Sequence, residues 1–160
     1  MAGRERRDDG EGAVEARVEV RETDDPRDFA EIVAIRRAVF TDEQHLTDVV
    51  DRDPYDHGPA AVQVLARVAG RPVGVGRLHV WRGEGQIAWV AVLPPYRGRG
   101  IGWEIMDALL SAAGRLGAQR VTLSAQTHAL GFYQLLGFRP VGTTFYMSEI
   151  EHITMVRDLG

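Results

Sequence analysis

Val90-Ala91-Val92-Leu93-Pro94-Pro95-Tyr96-Arg97-Gly98-Arg99-Gly100-Ile101-Gly102 is the stretch on which the reading of this chain turns. It runs from a strand-like apolar segment, through a proline-stiffened turn, into a helical pattern. Glycines at 98, 100 and 102 remove the Cβ atoms that would hold a ligand off the backbone, and they let successive N–H groups converge at a helix N-terminus. Arg97 and Arg99 add forked cationic donors that match phosphate oxygens. A turn that needs glycine for its own conformation is the plainer reading. Two arginines interleaved with three glycines directly ahead of a helix favour a polyphosphate site. A P-loop would need Gly-Lys-Ser/Thr, and the chain has no lysine. A dinucleotide fingerprint would need a third glycine that neither Gly98-x-Gly100 nor Gly100-x-Gly102 supplies, and an acid where the next strand ends in Ala125-Gln126.

Downstream, Ile105, Met106, Leu109, Leu110 and Ala113 share one face of a helix expected over Gly102 to Leu116, with Gly117 as its stop. Val121 to Ala125 reads as a buried strand and Gln126 to Leu136 as another helix ended by Gly137. Phe138 to Val156 reads as two strands about a turn near Ser148-Glu149. Upstream, Ala16, Val18 and Val20 alternate with Arg17, Glu19 and Arg21 as a half-buried strand. Asp25 caps a helix expected over Arg27 to Phe40, with Phe29, Ile32, Val33, Arg36 and Phe40 at three- and four-residue spacing. Thr41 to Asp56 is acidic and reads as a short helix and a loop, most simply a solvated face. Val62–Ala69, Pro72–Trp81 and Ile87–Val92 are three successive antiparallel strands. The order is that of an α/β (α+β) chain, a mixed sheet with helices on its faces.

Composition narrows the chemistry. The 160 residues suit one domain, expected over 16–160, and Met1 to Glu15 reads as a disordered tail, neither signal nor transit peptide. No apolar run reaches bilayer length, so no membrane role is expected and the cytoplasm is the expected location. With no cysteine, disulfides, thiolate metal sites and a Cys-acyl intermediate are excluded, and no metal is expected. The formal net charge is -4 with no basic stripe, which speaks against nucleic acid.

Arg97-x-x-Gly100-x-Gly102 after Val92-x-Pro94-x-Tyr96 resembles the pyrophosphate-binding motif of GNAT acetyltransferases. Gln126-x-x-Ala129-x-x-x-Tyr133-x-x-x-Gly137-Phe138 is similar to the helix that lies beside the CoA arm in that superfamily. Arg36, Val39, Phe40, Glu43, Gln44, Asp51, Asp53 and His57, then Phe145, Glu149, His152 and Met155, resemble the ElaA/YjcF-like branch. The resemblance implies a GNAT fold, with a mixed central sheet of roughly six to seven strands flanked by about four helices. It also implies acetyl-CoA as cosubstrate and direct attack by a primary amine, with no acyl-enzyme.

Carried onto this sequence, the family pattern has Val90, Ala91 and Val92 bind the pantetheine amides and polarise the thioester. Arg97, Gly98, Arg99, Gly100, Ile101 and Gly102 hold the diphosphate, and Gln126, Ala129 and Phe132 flank the arm. Tyr133 matches the tyrosine aimed at the sulfur, with packing beside Phe132 and Leu136 as its plainer role. The glutamate many members carry early in the central strand is Gln86 here, which accepts no proton at neutral pH. Glu43, His57 and His152 are therefore the candidate bases, ahead of Glu84 in a turn, and a water relay serves equally. Gln86 also keeps open a non-catalytic CoA-binding module as the alternative. Trp81, Trp89 and Trp103 read as core or cofactor-edge packing. The acceptor is a small-molecule or peptide amine, cationic if the acidic run with Asp51 and Asp53 faces it. Longer acyl groups stay open, as does a homodimer through an exposed strand edge.

Overall fold

Val18 and Val20 turn inward and Glu19 and Arg21 outward along the first strand, as a period-2 pattern requires. The computed structural model describes residues 17–160, so Ala16 and the tail expected at 1–15 lie outside the described residues. The elements are β1 (Val18–Thr23), α1 (Pro26–Arg36, continuing as a π-helix over Arg37–Glu43), β2 (Ala61–Val68), β3 (Arg71–Trp81) and β4 (Glu84–Val92). There follow α2 (Ile101–Arg115), β5 (Arg120–Gln126), α3 (Leu130–Leu135), β6 (Arg139–Met147) and β7 (Ile150–Asp158). Seven strands form one sheet in the order β1-β2-β3-β4-β5-β7-β6, and only β4 and β5 run parallel.

Side-chain alternation sorts the core onto two faces. Val64 and Ala66 pack with Ile101, Ile105, Met106 and Leu109 of α2, whereas Leu65 between them packs with Ile32, Ile35 and Val39 of α1. Each fully buried aliphatic side chain contributes roughly 1.5–3 kcal/mol. β3 meets α2 through glycines. A Cβ at Gly74 would stand 2.8 Å from Ile105 Cδ1, and one at Gly76 2.7 Å from Leu109 Cδ1 and 2.8 Å from Ile105 Cγ2.

Three expectations change. The second helix forecast within Thr41–Asp56 is absent. Instead α1 widens into π turns, with Gln44 N–H donating to Val39 C=O at 3.0 Å, and residues 44–60 form neither helix nor strand. The helix forecast over Gln126–Leu136 divides into a 3₁₀ turn, Thr127–Ala129, and the short α3. The described residues thus carry three helices where about four were expected. Asp25 caps α1 as forecast, its Oδ1 accepting from Arg27 N–H at 2.8 Å.

Two features of β4 create the site. Its pairing with β5 covers only Glu84–Gln86 against Arg120–Thr122, while the strands run on to Val92 and Gln126, so they part. On its other edge, Val75 pairs Ala91 but Arg77 pairs Ala88, leaving Trp89 and Val90 opposite Gly76 as a β-bulge. Trp89 sits there at φ 60°, a left-handed conformation rare for a bulky side chain.

Gly76→Ala is expected to lower unfolding free energy by about 1–3 kcal/mol through overpacking against α2. Urea denaturation of the variant checks this.

Candidate active site

Where β4 and β5 part, a cavity of about 860 Å³ opens. That is the size of a small-molecule site. Val90, Ala91 and Val92 line it from the bulged strand, Gln126, Ala129 and Tyr133 from the β5–α3 side, and Glu43 and Arg97 from its rim. From Ile87 to Val92 the β4 edge facing β5 has no strand partner, so its backbone polar groups need another one. At the head of α2, Gly98 and Gly100 take φ 78° and 82°, and no side chain caps the helix. A Cβ at either would meet nothing within 4 Å, so glycine serves the conformation there and leaves the approach to the backbone open. Free N–H groups, the positive end of the fifteen-residue α2 and Arg99 together suit a diphosphate. Gly102 has a different task, since a Cβ there would stand 3.5 Å from the Phe132 ring. Phe132 therefore braces the loop, edge-on to Trp103 at 6.4 Å, and does not line the cavity.

The two arginines of the motif divide. Arg99 lies over the Tyr96 ring at 5.4 Å and, among the described residues, pairs with no carboxylate. Arg97 is engaged on three sides. Its Nε–H donates to Val92 C=O at 2.8 Å, and Nη1 and Nη2 each reach a Glu43 oxygen at 2.7 Å. Hydrogen bonds from Arg97 hold the Glu43 carboxyl below its ordinary range. A carboxylate so engaged is a poor proton acceptor, which argues against Glu43 as the base and for its joining α1 to the glycine-arginine loop. The next residue extends that join: Gln126 Nε2–H donates to Gln44 Oε1 at 2.7 Å, bridging β5 and the end of α1. The Gln126 amide oxygen also lies 2.6 Å from His128 Nε2.

Tyr133 is half-buried, edge-on to Phe132 at 5.0 Å and Phe138 at 6.1 Å. Burial pushes its hydroxyl up to about 12, so it carries its proton throughout the neutral range. His57 stands apart. It is exposed, edge-on to Phe29 at 4.7 Å, and lines a separate cavity of about 310 Å³. Glu84 pairs with Arg120 at 2.9 Å, outside the larger cavity. Gln86 lines that cavity and accepts from Arg77 Nη1 at 3.1 Å. His152 lines it too, from β7.

Beneath the bulge lies a buried ionic group that the sequence reading did not assemble. Arg36, 0% exposed, makes bidentate 2.9 Å bonds to Asp56, 2% exposed, and also donates to Val50 C=O and Gln63. Arg77 donates to Asp53 at 2.7 Å, and the same Asp53 oxygen accepts from Trp89 Nε1–H at 2.7 Å. The Arg36 guanidinium also lies 4.9 Å from the Trp89 ring. Segment 44–60 is thus tied down by charge, and Trp89 is fixed in its strained conformation. Asp42, Glu43, Asp48 and Asp51 of the acidic run keep the exposure expected of a solvated face, Glu43 while paired with Arg97. Burial alone would raise the Asp53 carboxyl, yet Tyr55 N–H, Trp89 and Arg77 together hold it below the ordinary range. A signal was available: Arg36 shares the apolar face of α1, and Arg77 interrupts an apolar strand. A charge in such a place needs a buried partner.

The family model described as "Acetyltransferase (GNAT) domain" matches residues 22–159. The chain belongs to the GNAT acetyltransferase family. Two Bacillus subtilis relatives are similar to this GNAT chain. YyaT, an uncharacterized protein, is 31% identical over 83% of this chain and 90% of its own length. YjcF, described as an uncharacterized N-acetyltransferase, is 31% identical over 78% of this chain and 88% of its own. Among solved structures, Escherichia coli ElaA superposes with a TM-score of 0.80 at 25% identity, covering 89% of this chain and all of that one. An acyl-CoA N-acyltransferase from Pseudomonas aeruginosa does so with a TM-score of 0.80 at 26% identity, covering 88% and 99%. The GNAT fold, the ElaA/YjcF resemblance and acyltransferase activity follow.

Asp56→Asn removes the charge that compensates Arg36 and is expected to cost about 3–5 kcal/mol in urea denaturation. Asp53 contributes stability above the unfolded carboxyl value, ~3.9. Because its folded pKa is depressed, that contribution is lost as pH falls through the folded value. An acid titration should show a larger loss of stability in the wild type than in Asp53→Asn, which keeps the acid-sensitive contribution of Glu43.

Proposed function

We propose that this chain transfers an acetyl group from acetyl-CoA to a primary amine by direct attack, with no acyl-enzyme. One observation carries the reading: from Ile87 to Val92 the edge of the parted, bulged strand that faces β5 has no strand partner, at a cavity whose rim carries Arg97 of the glycine-relieved loop before α2. Such an edge suits an extended amide-bearing arm, and the helix start suits the diphosphate at the arm's far end. The thioester then lies against the bulge. A backbone N–H held in place there stabilises charge on the carbonyl oxygen without reorganising.

In this reading Arg99 is the mobile phosphate ligand, whereas Arg97 fixes the loop to α1 and offers its remaining N–H groups. Tyr133 supplies the proton to the departing sulfur. Burial strengthens that assignment, since a hydroxyl kept neutral presents its hydrogen at every working pH. No metal enters the scheme, and a cytoplasmic setting belongs to the same reading. The ionic pairing of Asp53 weakens the case for recognition of a cationic acceptor by that residue.

Tyr133→Phe keeps the aromatic packing and removes the proton. It is expected to lower kcat by about 10²–10⁴-fold with an unchanged melting temperature, as measured by thiol release and thermal unfolding. Arg99→Ala is expected to weaken acetyl-CoA binding by about 10–100-fold in calorimetry, the loss of a charge-assisted hydrogen bond to phosphate.

A further inference from the structure

Once β4, Arg97 and the β5–α3 segment are assigned to the cosubstrate, a second part of the cavity is left, between segment 46–55 and the β6–β7 hairpin. The two walls touch: Thr47 N–H donates to Ser148 Oγ at 3.3 Å. Their cavity-lining side chains are chiefly apolar, with Leu46, Val49 and Tyr55 on one wall and Met147 and Ile150 on the other. Val49 and Tyr55 are 56% and 47% exposed, large apolar surfaces at a site mouth, with His79 4.6 Å from the Tyr55 ring. The carboxylates that could attract a polycation are already engaged, Asp53 by Arg77 and Trp89 and Glu43 by Arg97. Among the described lining residues Asp48 alone carries a charge without an ion-pair partner, and it is exposed.

His152 lies in this part of the cavity. It is 2% exposed, its ring is stacked on Phe145 at 5.8 Å, and its Nδ1 lies 2.8 Å from Ile150 C=O. A carbonyl oxygen only accepts, so Nδ1 carries the hydrogen and the neutral ring keeps its lone pair on Nε2. No protein group among the described residues bonds Nε2. Gln126 pairs with His152 across the β5–β7 ladder. The other titratable groups around the cavity are Tyr133 and His128 from the β5–α3 side, Glu43 and Arg97 at the rim, Asp48, Asp53 and Tyr55 from the loop, and Arg77 from β3. Glu151 on β7 is engaged by the Thr127 hydroxyl.

We propose that this site takes a primary amine carried on an apolar, uncharged body, and that His152 Nε2 accepts the ammonium proton before attack. The proposal rests on the acetyl-transfer reading above. An N–H bond of the ammonium breaks as Nε2–H forms. The freed nitrogen pair makes the C–N bond to the thioester carbonyl carbon, and the C–S pair leaves on sulfur, which takes the Tyr133 proton. Water receives the second nitrogen proton and the one held by His152, and returns one to Tyr133. Each turnover therefore releases one proton.

Thiol release at fixed acetyl-CoA, with phenethylamine and isopentylamine against spermidine, tests the substrate class. The apolar amines should show kcat/KM at least about tenfold higher, the value of one to two buried methylenes. His152→Asn preserves a donor for Ile150 C=O and removes Nε2, with His152→Gln as a second variant should Asn fail to fold. Either is expected to lower kcat/KM for phenethylamine at pH 7 by about 10²-fold while leaving calorimetric acetyl-CoA affinity unchanged. The deficit should largely vanish for trifluoroethylamine, which is already neutral at that pH. A preference for spermidine, or an equal deficit with both classes of amine, overturns the inference while leaving acetyl transfer standing. Absence of acetyl-CoA binding to the wild type overturns both.

Discussion

Two arginines, two aspartates and an indole occupy the space under the β4 bulge, and the geometry of the site depends on them. Taking Arg36 and Arg77 out of water is costly, and only close carboxylates with further hydrogen bonds offset that cost. Asp56 and Asp53 supply those carboxylates from a segment with no helical or strand hydrogen bonding of its own. Neutralising the charges therefore fixes the path of the segment. In the same arrangement Trp89 Nε1–H is bound to Asp53 and its ring is covered by Arg36, so a positive φ persists in a strand. The bulge at Trp89 and the path of segment 44–60 thus lean on one ionic group.

Coupling within the site runs along backbone-adjacent residues. Glu43 and Gln44, consecutive at the end of the π-helical stretch, grip Arg97 of the glycine-arginine loop and Gln126 of β5. An ordinary α-helical turn would direct these two neighbours differently around the helix axis. The widened turns thus place the glycine-arginine loop, the end of β5 and segment 44–60 in fixed relation to one another. Arg97 is in this sense part of the frame, whereas Arg99 rests on the Tyr96 ring and, among the described residues, pairs with no carboxylate.

The glycine-arginine stretch, the Gln126–Phe138 pattern and the strand periodicities were legible because each depends on local chemistry: positive φ, helical spacing, alternation. Most strand boundaries fall within a few residues of their forecast, and the cap at Asp25 forms as its residue type requires. The acidic run was read too simply, since the partners that draw Asp53 and Asp56 inward lie on α1 and β3, far away in sequence. Helix periodicity also said nothing of a switch to π turns, because the same residues satisfy both until the tertiary contacts choose. Glu43 and Arg97 were each singled out, but for separate tasks; that they hold each other is a property of the fold. His57, taken with its neighbours from the resemblance, falls on another cavity, on a bend between the buried Asp56 and Gly58 at φ 102°.

The short parallel ladder between β4 and β5 has a mechanical meaning. It joins a four-stranded and a three-stranded half of the sheet through only three residue pairs, Glu84–Gln86 with Arg120–Thr122. Beyond that ladder the halves meet through side chains, the Gln44–Gln126 amides and the contact of Thr47 with Ser148. The molecule resembles a clothes-peg, with a stiff backbone spring at one end and jaws fastened by replaceable hydrogen bonds at the other. Exchanging those amide contacts for a guest's own would cost about a kcal/mol apiece and touch no rung of the sheet.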